Sequence, residues 1–215
     1  MEGRFPNRME AGRRLAERLS AYRGYDDAIV LGLPRGGVPV AYEVARQLGL
    51  PLDVFLVRKL GVPGYEELAM GAIASGNVSV LNEDVMRALP NSEAIFETVR
   101  AAEEIELQRR ETRYRRDRPT PELRGRIVIL VDDGLATGAT MRAAATGLRK
   151  QGVAKIVVAV PVGASETCQE LAAEVDEAIC VIMPASFDGV GQFYEDFSQT
   201  TDEEVRELLI RANGD

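Results

Sequence analysis

The sequence contains no histidine. That removes Ser-His and Cys-His nucleophilic machinery, and any zinc site that needs an imidazole. Cysteine occurs only twice, at Cys168 and Cys180, too few for a cysteine-only zinc site. A bound metal is therefore expected to be a hard cation held by oxygen, with Mg²⁺ the leading choice. The two cysteines fall on an expected helix and an expected strand. They read as free, core-packing thiols, as suits an intracellular protein. No apolar run approaches membrane-spanning length, and the opening MEGRFPNRME lacks the apolar stretch of a secretory signal. A cytoplasmic protein with no membrane partner is expected. Positive charge is also in deficit: 26 Lys and Arg against 34 Asp and Glu leave a net charge of -8. That balance argues against a general nucleic-acid-binding surface.

What is present is ordinary globular material: 215 residues, 46% hydrophobic and 28% charged, without internal repeats or low-complexity segments. Short apolar runs at 28–32, 52–57, 127–131, 155–162 and 177–183 read as buried strands, with 68–74 and 78–81 as two more around a turn at Ser75-Gly76-Asn77. Helical spacing appears at 8–22, 38–48, 140–151 and 165–174. A long helix capped by Asn91 or Ser92 is expected to reach about Arg118, and a last helix to begin at Asp202. Nearly all-apolar strands alternating with helices indicate a parallel sheet covered on both faces. The polar stretch 115–126 reads as a hinge or linker.

The most informative stretch is RIVILVDDGLATGAT, residues 126–140. A buried strand ends in two acids, and a small glycine-bearing loop leads straight into a helix. In open parallel sheets, ligands bind beyond the carboxyl ends of the strands. Backbone N–H groups of Gly134, Leu135, Ala136, Thr137, Gly138, Ala139 and Thr140, near the positive end of that helix, can cradle a phosphate. Gly134 and Gly138 allow close approach, and Thr137 and Thr140 add hydroxyl donors. Asp132 and Asp133 suit hydroxyls or a cation beside that phosphate rather than the phosphate itself. The unit therefore describes a sugar-phosphate site. A Walker A loop is excluded, because the Lys-Ser/Thr ending is missing. A receiver domain would carry its acids near the N-terminus with no phosphate loop behind them. An acidic strand end followed by an ordinary turn is the plainest alternative.

VILVDDGLATGAT resembles the phosphoribosyl-pyrophosphate (PRPP) signature of type I phosphoribosyltransferases. The resemblance implies an α/β fold, a central parallel sheet flanked by helices on both faces with a small hood. Residues 1–215 would form one domain, with a core at about 24–182 and a hood at 183–201. Helices 8–22 and 202–212 would pack around that hood. Asp132 and Asp133 would hold the ribose, and residues 134–140 its 5′-phosphate. GLPRGGVPVAYEVA (32–45) resembles the family's pyrophosphate-binding loop. Pro34, Arg35, Gly36 and Gly37 would then hold the diphosphate, with a non-proline cis peptide between Pro34 and Arg35. Read alone, this stretch is also an ordinary turn before a helix.

Arg58 and Lys59, at the expected carboxyl end of strand 52–57, either neutralise pyrophosphate or are surface charge. The run that follows them, 61–67, resembles the mobile catalytic loop of the family, and contains Glu66 and Glu67. Either acid could protonate a leaving group or contact a base; solvated loop acids are the plainer reading. Phe187, Phe193 and Tyr194, near Phe197, are candidates to stack on a base or to pack in the core. The arginines at 109–126 read as a solvated helix face with Glu-Arg pairs, or as a phosphate or partner site. A third acid helps activate the base in the 6-oxopurine enzymes of the family; the matching position here is Ala136, which disfavours hypoxanthine and guanine.

The resemblance thus implies a Mg²⁺-dependent phosphoribosyltransferase of nucleotide salvage. It would use Arg35, Asp132 and Asp133 to transfer phosphoribosyl from PRPP to a nitrogen nucleophile, a nucleobase-like acceptor, and release pyrophosphate. Mg²⁺ would be held mainly through PRPP, with Asp132 and Asp133 as possible ligands. A homo-oligomer is possible. The alternatives are a non-catalytic PRPP or nucleotide sensor, and an enzyme acting on another sugar phosphate.

Overall fold

A computed structural model describes residues 3–116 and 118–214. Five parallel strands form the central sheet: β1 (Ala28–Gly32), β2 (Leu52–Val54), β6 (Ile127–Val131), β7 (Lys155–Val162) and β8 (Glu177–Ile182), in the order β2-β1-β6-β7-β8. Strand residues divide alternately between two apolar clusters. Val30, Ile129, Val131 and Val157 enter one; Leu31, Val128, Leu130 and Val158 enter the other. This is why the strands read as continuous apolar runs, because each face must meet a helical layer. α1 (Arg8–Arg18), α2 (Gly37–Leu48) and α7 (Asp202–Asn213) contribute to the first cluster. α5 (Ala139–Lys150) and α6 (Ser165–Glu174) contribute to the second. Among the described residues no helix is long and apolar enough to cross a membrane.

A second sheet is antiparallel: β3 (Val57–Val62), β4 (Tyr65–Ala74) and β5 (Val78–Leu81), in the order β3-β4-β5. It packs against α4 (Ser92–Arg115) and α5, with the short α3 (Glu83–Ala88) beside β4. The expected strand 52–57 is therefore two pieces. β2 ends at Val54 in the parallel sheet, and β3 begins at Val57 in the other. The expected mobile segment 61–67 is the end of a hairpin, with a register shift at Gly61 and a tip at Pro63-Gly64. A run such as LDVFLV shows no breaker, so the change of sheet has no local signal.

Smaller differences also have local causes. Neither Asn91 nor Ser92 caps α4 through its side chain, and Asn91 instead takes a left-handed backbone conformation. Helix α1 ends at Arg18 and Ser20–Tyr22 tighten into a 3₁₀ turn, so the expected helix 8–22 is two elements. The main packing of α7 against other elements is on α2, α4 and β2. The stretch 115–126 is anchored at its start, because Arg115 is 4% exposed and bonded to Asp53 Oδ2 at 2.9 Å and Val54 O at 2.9 Å. Asp117 lies outside the described residues.

Cys168 and Cys180 are joined in a disulfide, not free. α6 lies on β8 so that their Cα atoms stand 6.7 Å apart. Gly163 leaves the sulfurs room, since a Cβ there would run into Cys168 Sγ.

Candidate functional site

The carboxyl ends of β1 and β6 are neighbours: Gly32 pairs with Val131, and the Leu33 N–H donates to Val131 O at 2.9 Å. The two sequence-selected loops therefore meet. They are packed so closely that only glycine fits. A Cβ on Gly37 would lie 2.7 Å from Val131 O, and one on Gly36 would strike Asp133 Oδ2. The peptide between Pro34 and Arg35 is cis, as the resemblance implies. Among the described residues Arg35 has no side-chain hydrogen bond or ion pair. Its charge is felt at Tyr114 and Asp202.

Loop 134–140 is built with its carbonyls tied off. Leu135 O accepts from the Ala164 N–H at 2.9 Å. Ala136 O accepts from Thr167 Oγ1 at 2.7 Å, and Thr137 O from Arg142 Nη1 at 2.8 Å. Arg142 is itself held by Glu170 at 2.6 Å and Glu174 at 2.8 Å. Gly138 adopts φ +74°, a left-handed turn into α5 that glycine makes without strain. With the carbonyls engaged, the amides of Ala136, Thr137 and Gly138 meet no protein acceptor among the described residues. The first N–H groups of α5 are open as in any helix. Ala136, Thr137, Ala139 and Thr140 are exposed and Gly138 is buried; Leu135, expected in the cradle, is buried and its N–H is spent on Val162 O at 2.9 Å, so it takes no part. The result is an anion cradle of backbone N–H groups at a helix N-terminus.

Beside it stand the two acids. Asp132 Oδ1 accepts the Asp133 N–H at 2.8 Å. Asp133 Oδ2 accepts from Arg8 Nε at 2.8 Å, with both side chains largely shielded, at 16% and 11% exposure. Burial, and then the neighbouring Asp133 charge, push Asp132 well above the usual carboxylate range. Burial also raises Asp133, and Arg8 opposes the shift. Two crowded carboxylates thus share one nearby cation.

That cation arrives from far away in sequence. Arg8 opens α1, 125 residues from Asp133. Its Nη1 donates to Ser198 O at 2.7 Å, and its Cζ lies 4.0 Å from the centre of the Phe197 ring. The segment below it is stitched to the chain near residue 194. Phe5 N–H donates to Phe193 O at 2.8 Å, and Glu195 N–H to Phe5 O at 2.9 Å. Tyr194 donates its hydroxyl to Asp133 O at 2.6 Å, and Val190 occupies the space a side chain on Gly134 would need. Segment 190–198 therefore lies directly on residues 133 and 134.

Of the aromatic candidates, Phe193 and Tyr194 are buried in a small cluster with Phe5, and Phe187 stacks on Phe193 with ring centres 5.6 Å apart. Phe197, 38% exposed, is the more accessible ring. Arg58 and Lys59 are not at a strand's carboxyl end; they lie within β3. Arg58 is engaged by Glu103 of α4, and Lys59 lines a cleft against α5. Glu66 and Glu67 are exposed, and Glu66 Oε1 accepts the Gly64 N–H at 3.2 Å. The residues that sequence reasoning missed are Arg8, Arg142 and Thr167. Their separations of 125, 5 and 31 residues from their partners carry no pattern that a single sequence displays.

Two curated proteins of Mycobacterium tuberculosis, from strains CDC 1551 / Oshkosh and ATCC 25618 / H37Rv, carry the words phosphoribosyl transferase in their names. Each is 50% identical over 211 residues, which is 98% of this chain and 47% of the relative. The chain thus spans about half the length of the curated relatives it matches. The crystal structure of TT1426 from Thermus thermophilus superposes with a TM-score of 0.86 at 45% identity, over 97% of this chain and 98% of that one. The family model described as phosphoribosyl transferase domain matches residues 4–196, so the chain belongs to the phosphoribosyl transferase domain family.

Proposed function

We propose that the chain transfers a phosphoribosyl group from PRPP to a nitrogen nucleophile of the nucleobase type, releasing pyrophosphate. The observation that carries this is the loop with its carbonyls tied off and its amides open, set beside two acids and the cis-peptide loop. One surface then offers an anion cradle, hydroxyl acceptors and a second loop bearing an uncommitted arginine.

In this reading the amides of residues 136–140 hold the 5′-phosphate. Asp132 and Asp133 accept hydrogen bonds from the ribose hydroxyls, most strongly when ionised. Arg8 keeps Asp133 charged and aimed. The amides of Arg35 and Gly36 and the Arg35 side chain face the diphosphate; Pro34 has no N–H, and the Gly37 N–H is spent on Leu33 O at 3.1 Å. As the bond to C1 of the ribose breaks, positive charge grows on the sugar and negative charge on the leaving group. The chain acts mainly by positioning, and by placing donors where the diphosphate charge develops.

The residues fit a Mg²⁺ ion that arrives with the substrate. Among the described residues no group of three His, Cys, Asp or Glu could hold a metal. Mg²⁺ characteristically takes one or two carboxylates, with waters and substrate phosphates filling the rest. Asp132 and Asp133 are the residues that would contact it. When bound, the ion would neutralise diphosphate charge.

At position 136 a methyl group can neither accept a proton nor hydrogen-bond a ring nitrogen. Hypoxanthine and guanine are therefore expected to be poor acceptors, with selection falling to segment 187–198. Incubation with PRPP, Mg²⁺ and a pool of nucleobases, followed by mass analysis of the product, tests the reading. A ribonucleoside monophosphate should appear only when PRPP is present. Hypoxanthine or guanine as the best acceptor would refute the argument from Ala136.

A further inference from the structure

Most arginines of the 109–126 cluster are committed. Arg109 and Arg110 share Glu106, and Arg113 pairs with Asp202 at 2.9 Å. Arg115 is held by Asp53 and Glu111, each at 2.9 Å. Arg116 and Arg118 are different, with no carboxylate partner among the described residues. They line a cleft of about 590 Å³ between the end of α4 and α7, together with Tyr114, Arg115, Arg206 and Ile210.

Nη2 of Arg118 and Nε of Arg206 are shielded from solvent, and among the described residues each lacks a hydrogen-bond acceptor. The acids nearby are already used: Glu203 is bonded to the other end of Arg206, through Nη2. A shielded charged donor with no acceptor is destabilising. Folded proteins usually satisfy such a group with water, an ion or a ligand. No carboxylate lines this cleft among the described residues, although the chain as a whole carries -8. Its volume suits a small molecule.

We propose that this cleft is a binding site for a diphosphate-bearing anion, separate from the 132–140 loop. Guanidinium forks match phosphate oxygens in pairs, and Arg116 and Arg118, just past the end of α4, line the cleft with Arg206 of α7, whose Nη2 is held by Glu203 while its Nε has no acceptor among the described residues. A diphosphate, with its several charges, matches a cleft lined by several arginines better than a single carboxylate does. The wall of the cleft is also linked to the candidate active site. Tyr114 donates its hydroxyl to Asp202 Oδ1 at 2.6 Å, and Arg35 acts electrostatically on both.

Calorimetric titration with pyrophosphate tests the site. The wild-type chain should bind one equivalent more than Arg118→Gln/Arg206→Gln, and Asp132→Asn/Asp133→Asn should keep that equivalent. Equal stoichiometry and affinity in wild type and Arg118→Gln/Arg206→Gln would overturn the proposal. Should that variant fail to fold, Arg116→Gln on the exposed rim should weaken the same equivalent about tenfold, roughly one charge-assisted hydrogen bond. No weakening overturns the proposal as well. A nucleoside diphosphate titrated in parallel should use the same arginines, and the tighter of the two ligands names the source of the diphosphate. Asp117 stands between Arg116 and Arg118 in the chain. If Asp117→Asn binds pyrophosphate where wild type does not, the arginines are satisfied internally and the site does not exist.

Discussion

The loop after β6 and the hairpin built on β3 and β4 make similar promises in sequence. Each has glycines, and each has charge close by. In the fold they part. The carbonyls of Leu135, Ala136 and Thr137 are occupied by Ala164, Thr167 and Arg142, while the amides of Ala136, Thr137 and Gly138 meet no protein acceptor among the described residues. In the hairpin it is the functional-looking group that is occupied: Arg58 is engaged by Glu103. A residue type suggests a role, but only its commitments elsewhere decide whether it can perform that role. A donor whose neighbours are tied off can serve a ligand, whereas a cation that already has its anion cannot serve another without breaking a contact.

The comparison can be broken most directly at the acids. Asp132→Asn/Asp133→Asn should weaken PRPP binding at least about a hundredfold, since two charge-assisted hydrogen bonds at roughly 1.5–3 kcal/mol each are lost. Thermal melting should show the fold retained. Unchanged affinity by calorimetry would remove these acids from the site. Arg8→Gln should have the next largest effect, about tenfold in KM for PRPP, one charge-assisted hydrogen bond. Arg8→Lys should recover part of it. A rise in affinity would mean that Arg8 obstructs Asp133 rather than aiming it.

Thr167→Val probes the tied-off carbonyls. Releasing Ala136 O should cost about one neutral hydrogen bond, near 1 kcal/mol, or roughly fivefold in PRPP affinity. The effect should vanish with substrates lacking the 5′-phosphate; if it persists with them, the loop is not a phosphate cradle. The smallest effect is expected in the hairpin. Arg58→Gln should leave PRPP affinity within about twofold and lower stability by under about 1 kcal/mol, as a partly exposed ion pair allows. A tenfold loss of affinity would return Arg58 to the site and collapse the contrast between the two regions.

Much of the fold was legible because it rests on local chemistry. The parallel strands are apolar on both faces, and Gly49 ends α2 in a left-handed conformation where the sequence places a stop. Loop 134–140 was legible for the same reason, since acids, glycines and helix start are contiguous. The change of sheet between Val54 and Val57 was not. Strand membership there depends on partners distant in sequence, such as Ser75, 19 residues on, whose hydroxyl accepts the Leu56 N–H at 2.9 Å, and Arg115, 61 residues from Val54. The cystine and Arg8 were illegible in the same sense. Cys168 and Cys180 look like any buried pair until α6 is laid on β8. Arg8 looks like one more basic residue on an amphipathic helix until Asp133 and Phe197 arrive.

The stitch between Phe5 and residue 194 also sets an order of events during synthesis. Arg8 emerges early, but Ser198, whose carbonyl it grips, is made 190 residues later. At about 5–20 residues per second the two are separated by roughly 10–40 s of translation. In that interval the strands up to β8 can pair while Arg8 still lacks its ring and its carbonyl. A chain truncated before residue 190 and released should therefore carry an assembled sheet with an uncovered acid pair, and a protease should cut it near Arg8 far faster than it cuts the protein that includes residues 190–198.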